Sequence, residues 1–179
     1  MKNILGFLTL CLLSFSPIVE KKITKTGTIT FEASVPSFEE VKAKNDAVTA
    51  ILNTENGEIA ALALMKGFRF KVALMEEHFN ENYIESNKYP KATFKGKIEN
   101  FDASKLSSTA QEYTIKGKLE LHGKSKDLNI KAKLKKNGEI INLISDFKVN
   151  VDDFDIEIPS VVSKKLSKQV NVSLDFNLK

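Results

Sequence analysis

The sequence predicts a mainly β protein, one antiparallel assembly of about eight strands with one or two short helices. Three observations carry this reading. Apolar residues recur with period two through most of the chain, which gives each strand one dry and one wet face; buried parallel strands would instead show continuous apolar runs. Two Asn-Gly pairs, Asn56-Gly57 and Asn137-Gly138, stand between such runs as two-residue hairpin turns. A length of 179 residues with 42% hydrophobic and 28% charged content suits one domain with a sizeable core. It excludes a disordered chain, a collagen and a polytopic membrane protein. So many strands must hide their edges, either by closing into a barrel or by stacking as two sheets.

Taken in order, Ile23, Lys25, Gly27, Ile29, Phe31 and Ala33 alternate with mainly polar neighbours until Pro36 ends the run. Val48 to Thr54 and Glu58 to Met65 flank the first Asn-Gly pair, and Phe68 to Val72 again has period two. Ala92 to Glu99 sets Phe94, Gly96 and Ile98 opposite Thr93, Lys95 and Lys97. Tyr113 to Leu121, Leu128 to Leu134, Ile141 to Val151 and Val170 to Leu178 alternate more cleanly still. The stretch Met75 to Ser86 breaks the pattern, because Met75, Phe79 and Tyr83 fall on one stripe of a short helix that Asn87 and Tyr89-Pro90 terminate. A second small helix is expected over Ser160 to Ser167, after Pro159.

The first 19 residues are expected to be an address. Lys2 precedes an apolar run from Ile4 to Leu13, and Ser14-Phe15-Ser16 offers small residues at the positions a signal peptidase reads. The run is shorter than the about 20 residues a membrane-spanning helix needs. The chain therefore divides into a secretory signal peptide over 1–19 and a β domain over 20–179, exported to the periplasm or secreted. The single cysteine, Cys11, lies in the leader, so no disulfide or Cys-based metal site is available to the mature chain. The formal net charge of +4 comes almost wholly from lysine, Arg69 being the one arginine among 27 basic residues. That composition points to a solvated outer face and not to nucleic acid, for which arginine is the preferred reader.

Catalytic signatures are absent. Gly123-Lys124-Ser125 ends like a phosphate-binding loop, but five residues separate Gly117 from Gly123 and the context is strand–turn–strand. His78 and Glu81 have metal-compatible spacing without the further ligands a site needs, and His78 is expected to be hydrogen-bonded at the sheet edge. Asp152, Asp153, Asp155 and Glu157 lack the glycine and spacing of a calcium loop and suggest a charged strand end. His122 is placed at a strand end on the wet side. No catalytic residue, cofactor or metal is expected.

What remains is the interior. Phe is abundant at 12 residues and Trp is absent, so the inside is apolar with few polar handles. Phe31, Phe68, Phe70, Phe94, Leu119, Phe147 and Phe176 are expected to line it, with Met75, Phe79 and Tyr83 capping one end. An eight-stranded barrel is wide enough either to be filled by side chains or to hold one small ligand. Gly27, Gly96, Gly117, Ala132 and Ser145 would leave volume for a cavity, although glycines can equally relieve strand curvature. Composition leaves hollow and filled open.

Two stretches resemble a known family. His78 to Ser86 followed by Lys88-Tyr89-Pro90-Lys91-Ala92-Thr93-Phe94 is similar to the helix and Tyr-Pro-x-x-x-Phe strand entry of YceI-like proteins. Tyr113 to Gly123 with Lys124-Ser125-Lys126 resembles the family's Gly-x-Leu-x-x-x-Gly hairpin. The similarity runs from about Gly27 to Lys179. The chain departs from the pattern near its start, where Phe31 to Pro36 leads to Phe38 to Ala43 without the His-Ser pair and Gly-x-Phe of longer members. The resemblance implies a lipocalin-like antiparallel β-barrel, exported, holding an isoprenoid or other long-chain lipid, without cofactor chemistry; neither a nucleic-acid partner nor a stable membrane span is expected from the composition and the short apolar run. The alternative is a non-catalytic structural or interaction module with a filled core that acts through its surface. Exposed edge strands would also allow two copies to pair as a homodimer, though nothing in the sequence requires it.

Overall fold

The computed structural model describes residues 20–179, so the expected signal peptide lies outside the described residues. Nine strands form among the described residues: β1 (Lys21–Ser34), β2 (Lys42–Asn53), β3 (Glu58–Leu64), β4 (Arg69–Phe70), β5 (Lys91–Ile98), β6 (Gln111–Leu121), β7 (Lys124–Asn137), β8 (Ile140–Asn150) and β9 (Leu166–Leu178). All pairings are antiparallel. Eight strands run as an up-and-down meander in the order β1-β2-β3-β5-β6-β7-β8-β9, and β9 returns to β1 to close a barrel. The two-residue β4 extends the wall beside β2 through Ala43↔Phe70, above the point where β3 ends. Each barrel strand has a partner on both sides among the described residues, although β7 and β8 pair over only part of their length. No helix among them is long and apolar enough to cross a membrane.

The inward faces of β5 to β9 match the alternation in the sequence; those of β1 and β2 do not. In β1, Lys22 and Thr24 are buried while Ile23 is 39% exposed, and Gly27 resumes the inward face. The registers Thr24↔Ala50 and Gly27↔Val48 place one extra residue in β1, a bulge that turns Ile23 and Lys25 outward. A second bulge follows in β2 between Asn45 and Val48, opposite Gly27 and Ile29. The first half of β2, Lys42 to Ala47, is invisible to a period-two search because its inward residues are Ala43 and Asn45. Lys22 is held beside Glu20 and Glu139 at 3.1 and 3.0 Å, and its hydrogen bond to Glu139 raises the ammonium above the usual lysine range.

One turn differs from expectation. Thr54–Gly57 is a four-residue loop with Gly57 at φ 75°, not a two-residue hairpin, because Gly57 N–H bonds back to the Asn53 carbonyl. His122-Gly123 is a true two-residue turn, both residues with positive φ (51° and 74°), as a type I′ hairpin requires. The first helix is real but mixed: α1 (Ala73–His78) continues as one π turn over Phe79–Tyr83, closed by Ile84 N–H to the Phe79 carbonyl. The second expected helix does not form. Residues 160–165 make successive turns, with N–H groups reaching back three residues, and β9 begins at Leu166.

Candidate functional site

The barrel is packed at one end and hollow at the other. At the end holding the start of β1, the end of β9 and the β7–β8 turn, Leu52, Ile98, Leu134, Ile141 and Leu178 are at most 1% exposed. They form a dry plug of core. Towards the other end, the inward residues Phe31, Phe94, Leu119, Leu128, Phe147, Val149, Val172 and Leu174 are only half-buried, although they face the axis. They face a cavity of about 400 Å3, within the about 300–1,000 Å3 of small-molecule pockets.

All ten interior candidates from the sequence line this space: Phe31, Phe68, Phe70, Met75, Phe79, Tyr83, Phe94, Leu119, Phe147 and Phe176. Four of them form a continuous aromatic wall. Phe31 lies 5.2 Å from Phe68, 5.7 Å from Phe70 and 5.3 Å from Phe79, and Phe70 lies 5.2 Å from Phe79, all between ring centroids. Tilted and edge-on contacts of this kind add about 0.5–1.5 kcal/mol each beyond their buried area. They fix the helical segment across one side of the open end. Phe176 sits at the base, its ring occupying the place where a Gly27 side chain would begin.

Loops supply lining residues that the sequence did not single out: Phe38, Phe154, Ile156, Ile158 and Val162. A signal existed for three of them, since Phe154, Ile156 and Ile158 alternate with Asp155 and Glu157. Their role is architectural as well. β7 and β8 pair only from Ala132↔Ser145 to Asn137↔Ile140, so the two strands part towards the open end. The segment 151–158 lies at this split, with Phe154 fully buried and Ile156 8% exposed. Lys126–Asp153 (2.8 Å) and Lys124–Asp155 (2.6 Å) tie it to β7, and Lys168–Asp152 (3.0 Å) ties it to β9. The Asp155 carboxylate holds the Lys124 ammonium above the usual lysine range. The acidic cluster is thus mostly paired clamps on a plug in a 3-10 turn and loop, beyond the strand's end.

Two histidine placements change. His122 is not on the wet side: its side chain is 10% exposed and bonded at both ring nitrogens, to the Phe154 carbonyl and to Glu85. His78 is exposed at the cavity mouth and has no hydrogen-bond partner among the described residues, in place of the expected sheet-edge bond. The glycines do not supply the empty volume either. Gly96 and Gly117 face each other across β5 and β6, and the Phe94 ring lies over both, within 2.8 and 2.5 Å of where their Cβ atoms would be. They are a floor for that ring. Polar lining side chains gather on the loops and strand ends of the open end, namely Glu39, His78, Asn150, Lys165 and Ser167. No group of three or more His, Cys, Asp or Glu side chains able to hold a metal occurs among the described residues.

A closed eight-stranded meander, hollow at one end under a short helix, agrees with the family profile that matches this chain, the YceI-like domain, over residues 19–178. The chain belongs to the YceI-like family. Solved structures with the YceI-like architecture include a polyisoprenoid binding domain from Saccharophagus degradans implicated in plant cell wall breakdown. It superposes with a TM-score of 0.79 at 13% identity, covering 90% of this chain and 99% of that one. BcnA of Burkholderia cenocepacia superposes at 0.69 with 12% identity, over 85% and 96% of the two chains. The YceI protein of Campylobacter jejuni does so at 0.53 with 16% identity, over 99% and 94%. At these identities the likeness is one of fold. No curated protein sequence matches.

Proposed function

We infer that this YceI-like protein takes one long apolar chain, an isoprenoid or similar lipid, into the barrel and carries or sequesters it after export. The observation that carries this reading is the cavity of about 400 Å3, apolar on its walls and polar at its mouth. Burial alone supplies the affinity: about 0.8 kcal/mol per methylene removed from water. Against an association cost on the order of 4–15 kcal/mol, a chain of ten to twenty carbons is about what tight binding needs. The ten lining residues predicted from the sequence are assigned as the ligand contacts. The neighbour described as polyisoprenoid-binding supports the ligand class, and the leader-like pattern over 1–19 supports export to the periplasm or beyond. The filled-core alternative is disfavoured, because the half-buried inward residues leave the open end unfilled.

The test is a titration with the apolar fluorophore N-phenyl-1-naphthylamine, followed by displacement with isoprenoid alcohols of increasing length. We expect saturable one-to-one uptake and an affinity that rises about fourfold per methylene until the cavity is full. Absence of saturable uptake of the fluorophore and of every alcohol defeats the proposal. Organic extraction and mass spectrometry of protein purified from its own compartment would identify the natural chain.

A further inference from the structure

Two segments border the hollow end. The first is the helical segment from Ala73 to Tyr83 with the loop after it; the second is the plug 151–158 at the split between β7 and β8. His122, in the β6–β7 turn, stands between them. Its Nδ1 lies 2.8 Å from the Phe154 carbonyl oxygen in the plug. Its Nε2 lies 3.0 Å from Glu85 Oε2, just past the helical segment. A carbonyl oxygen only accepts, which assigns a hydrogen to Nδ1. With that hydrogen in place, the Nε2 of a neutral ring is a lone pair, and so is an ionised carboxylate oxygen. The second contact therefore holds one further proton, on Nε2 or on the carboxyl group.

We propose that this shared proton is a clasp between helical segment and plug, and that its loss to water as pH rises opens the cavity. Without it, two lone pairs face each other at the same 3.0 Å, in a site where the imidazole is 10% exposed and the carboxylate 45%. Each member of the clasp adjoins or belongs to the cavity wall, Glu85 following Ile84, His122 following Leu121, and Phe154 lining it directly. The backbone marks the same place. Glu85, His122 and Asp155 are three of the five non-glycine residues with positive φ among the described residues, at 46°, 51° and 52°. Such conformations persist where surrounding contacts hold them.

The other charged and titratable groups facing the clasp come from each packed element. Tyr89 presents its ring edge-on to the imidazole at 4.5 Å, and Lys88 lies 4.8 Å over the Tyr89 ring. Asp153 and Asp155 of the plug are engaged by Lys126 and Lys124 of β7. Lysine–aspartate pairs are not remade over the range in which imidazoles titrate.

The clasp rests on the ligand reading only for what opening releases, and its test separates the two. Amide-exchange protection, corrected for the intrinsic pH dependence of exchange, is read at Ile84 and Ser86, whose N–H groups bond the Phe79 and Asn80 carbonyls. The dissociation rate of N-phenyl-1-naphthylamine is measured in parallel, from about pH 5.5 to about pH 8.5. In the parent protein, protection is expected to fall and dissociation to quicken by about tenfold each, the order that one charge-assisted hydrogen bond sustains. Glu85→Gln keeps the contact in both ring states, because an amide can accept from N–H or donate to a lone pair; its protection stays high and flat with pH. Protection that is flat with pH in the parent, or equally pH-dependent in Glu85→Gln, overturns the clasp. Protection that follows the proton in the parent but not in Glu85→Gln supports the clasp even if the fluorophore never binds saturably, and the ligand reading then fails alone.

Discussion

Replacing Gly117 by alanine is expected to destabilise the barrel and to intrude on the cavity at the same time. The added Cβ would lie 2.5 Å from the Lys95 carbonyl oxygen, 2.5 Å from Phe94 Cζ and 2.6 Å from Gly96 Cα. Two of these obstacles are backbone of β5, held by the Gly96↔Gly117 pairing, so the sheet itself must give; the ring can turn away only towards the cavity. Overpacking of this kind costs about 1–3 kcal/mol, and the stiffer unfolded chain returns about 0.4–1 kcal/mol. A net loss of about 1–2 kcal/mol corresponds to a fall of about 2–8 °C in the unfolding midpoint for a domain of this size. The assay is thermal and urea denaturation, run as a double-mutant cycle with Phe94→Leu to isolate the ring's share. A coupling of about 0.5–1 kcal/mol is expected, together with weaker uptake of an apolar fluorophore by Gly117→Ala. An unchanged or raised midpoint for Gly117→Ala would refute the argument that these glycines exist to seat the Phe94 ring.

The two halves of the barrel should respond differently to substitution. Leu52→Ala, at a fully buried position of the packed end, should cost about 2–5 kcal/mol in urea denaturation while leaving fluorophore affinity within about twofold. Phe147→Asp sets a carboxylate in the apolar wall, and should abolish uptake in a protein whose circular dichroism still reports a folded barrel; retained uptake would count against an interior site. Lys22 contributes through an ammonium raised above its usual range, so its contribution is complete below the ordinary lysine range and is lost as pH climbs through the raised value. Lys22→Met should accordingly flatten the dependence of the denaturation midpoint on pH in strongly alkaline solution.

How much of the structure was legible depends on whether a local period survived. In β6, β7 and β9, one residue in two meets the core, so Tyr113 to Leu121, Leu128 to Leu134 and Val170 to Leu178 show their inward faces directly. In β1 and β2 the two bulges shift the period by one residue, and the inward set passes from Lys22 and Thr24 to Gly27 and Ile29. No period-two search finds a strand that changes face midway. The stripe Met75, Phe79, Tyr83 was legible for the same reason as the strands. The change to a π turn at Phe79 was not, because it depends on how Phe79 meets Phe31 and Phe70 across the barrel.

The sequence alone determined the antiparallel strands, a phenylalanine-rich interior and the absence of any compact catalytic motif, because each is written in residue type at short spacing. Whether that aromatic interior is hollow was a tertiary decision. Volume depends on how Phe94 lies over Gly96 and Gly117, on Phe176 against Gly27, and on a helical segment held away from the axis by three other phenylalanines. The parting of β7 from β8, the plug at that split and the half-buried His122–Glu85 contact were equally beyond the sequence. They join residues 32 and 37 positions apart, and only chain closure brings such residues within hydrogen-bonding distance.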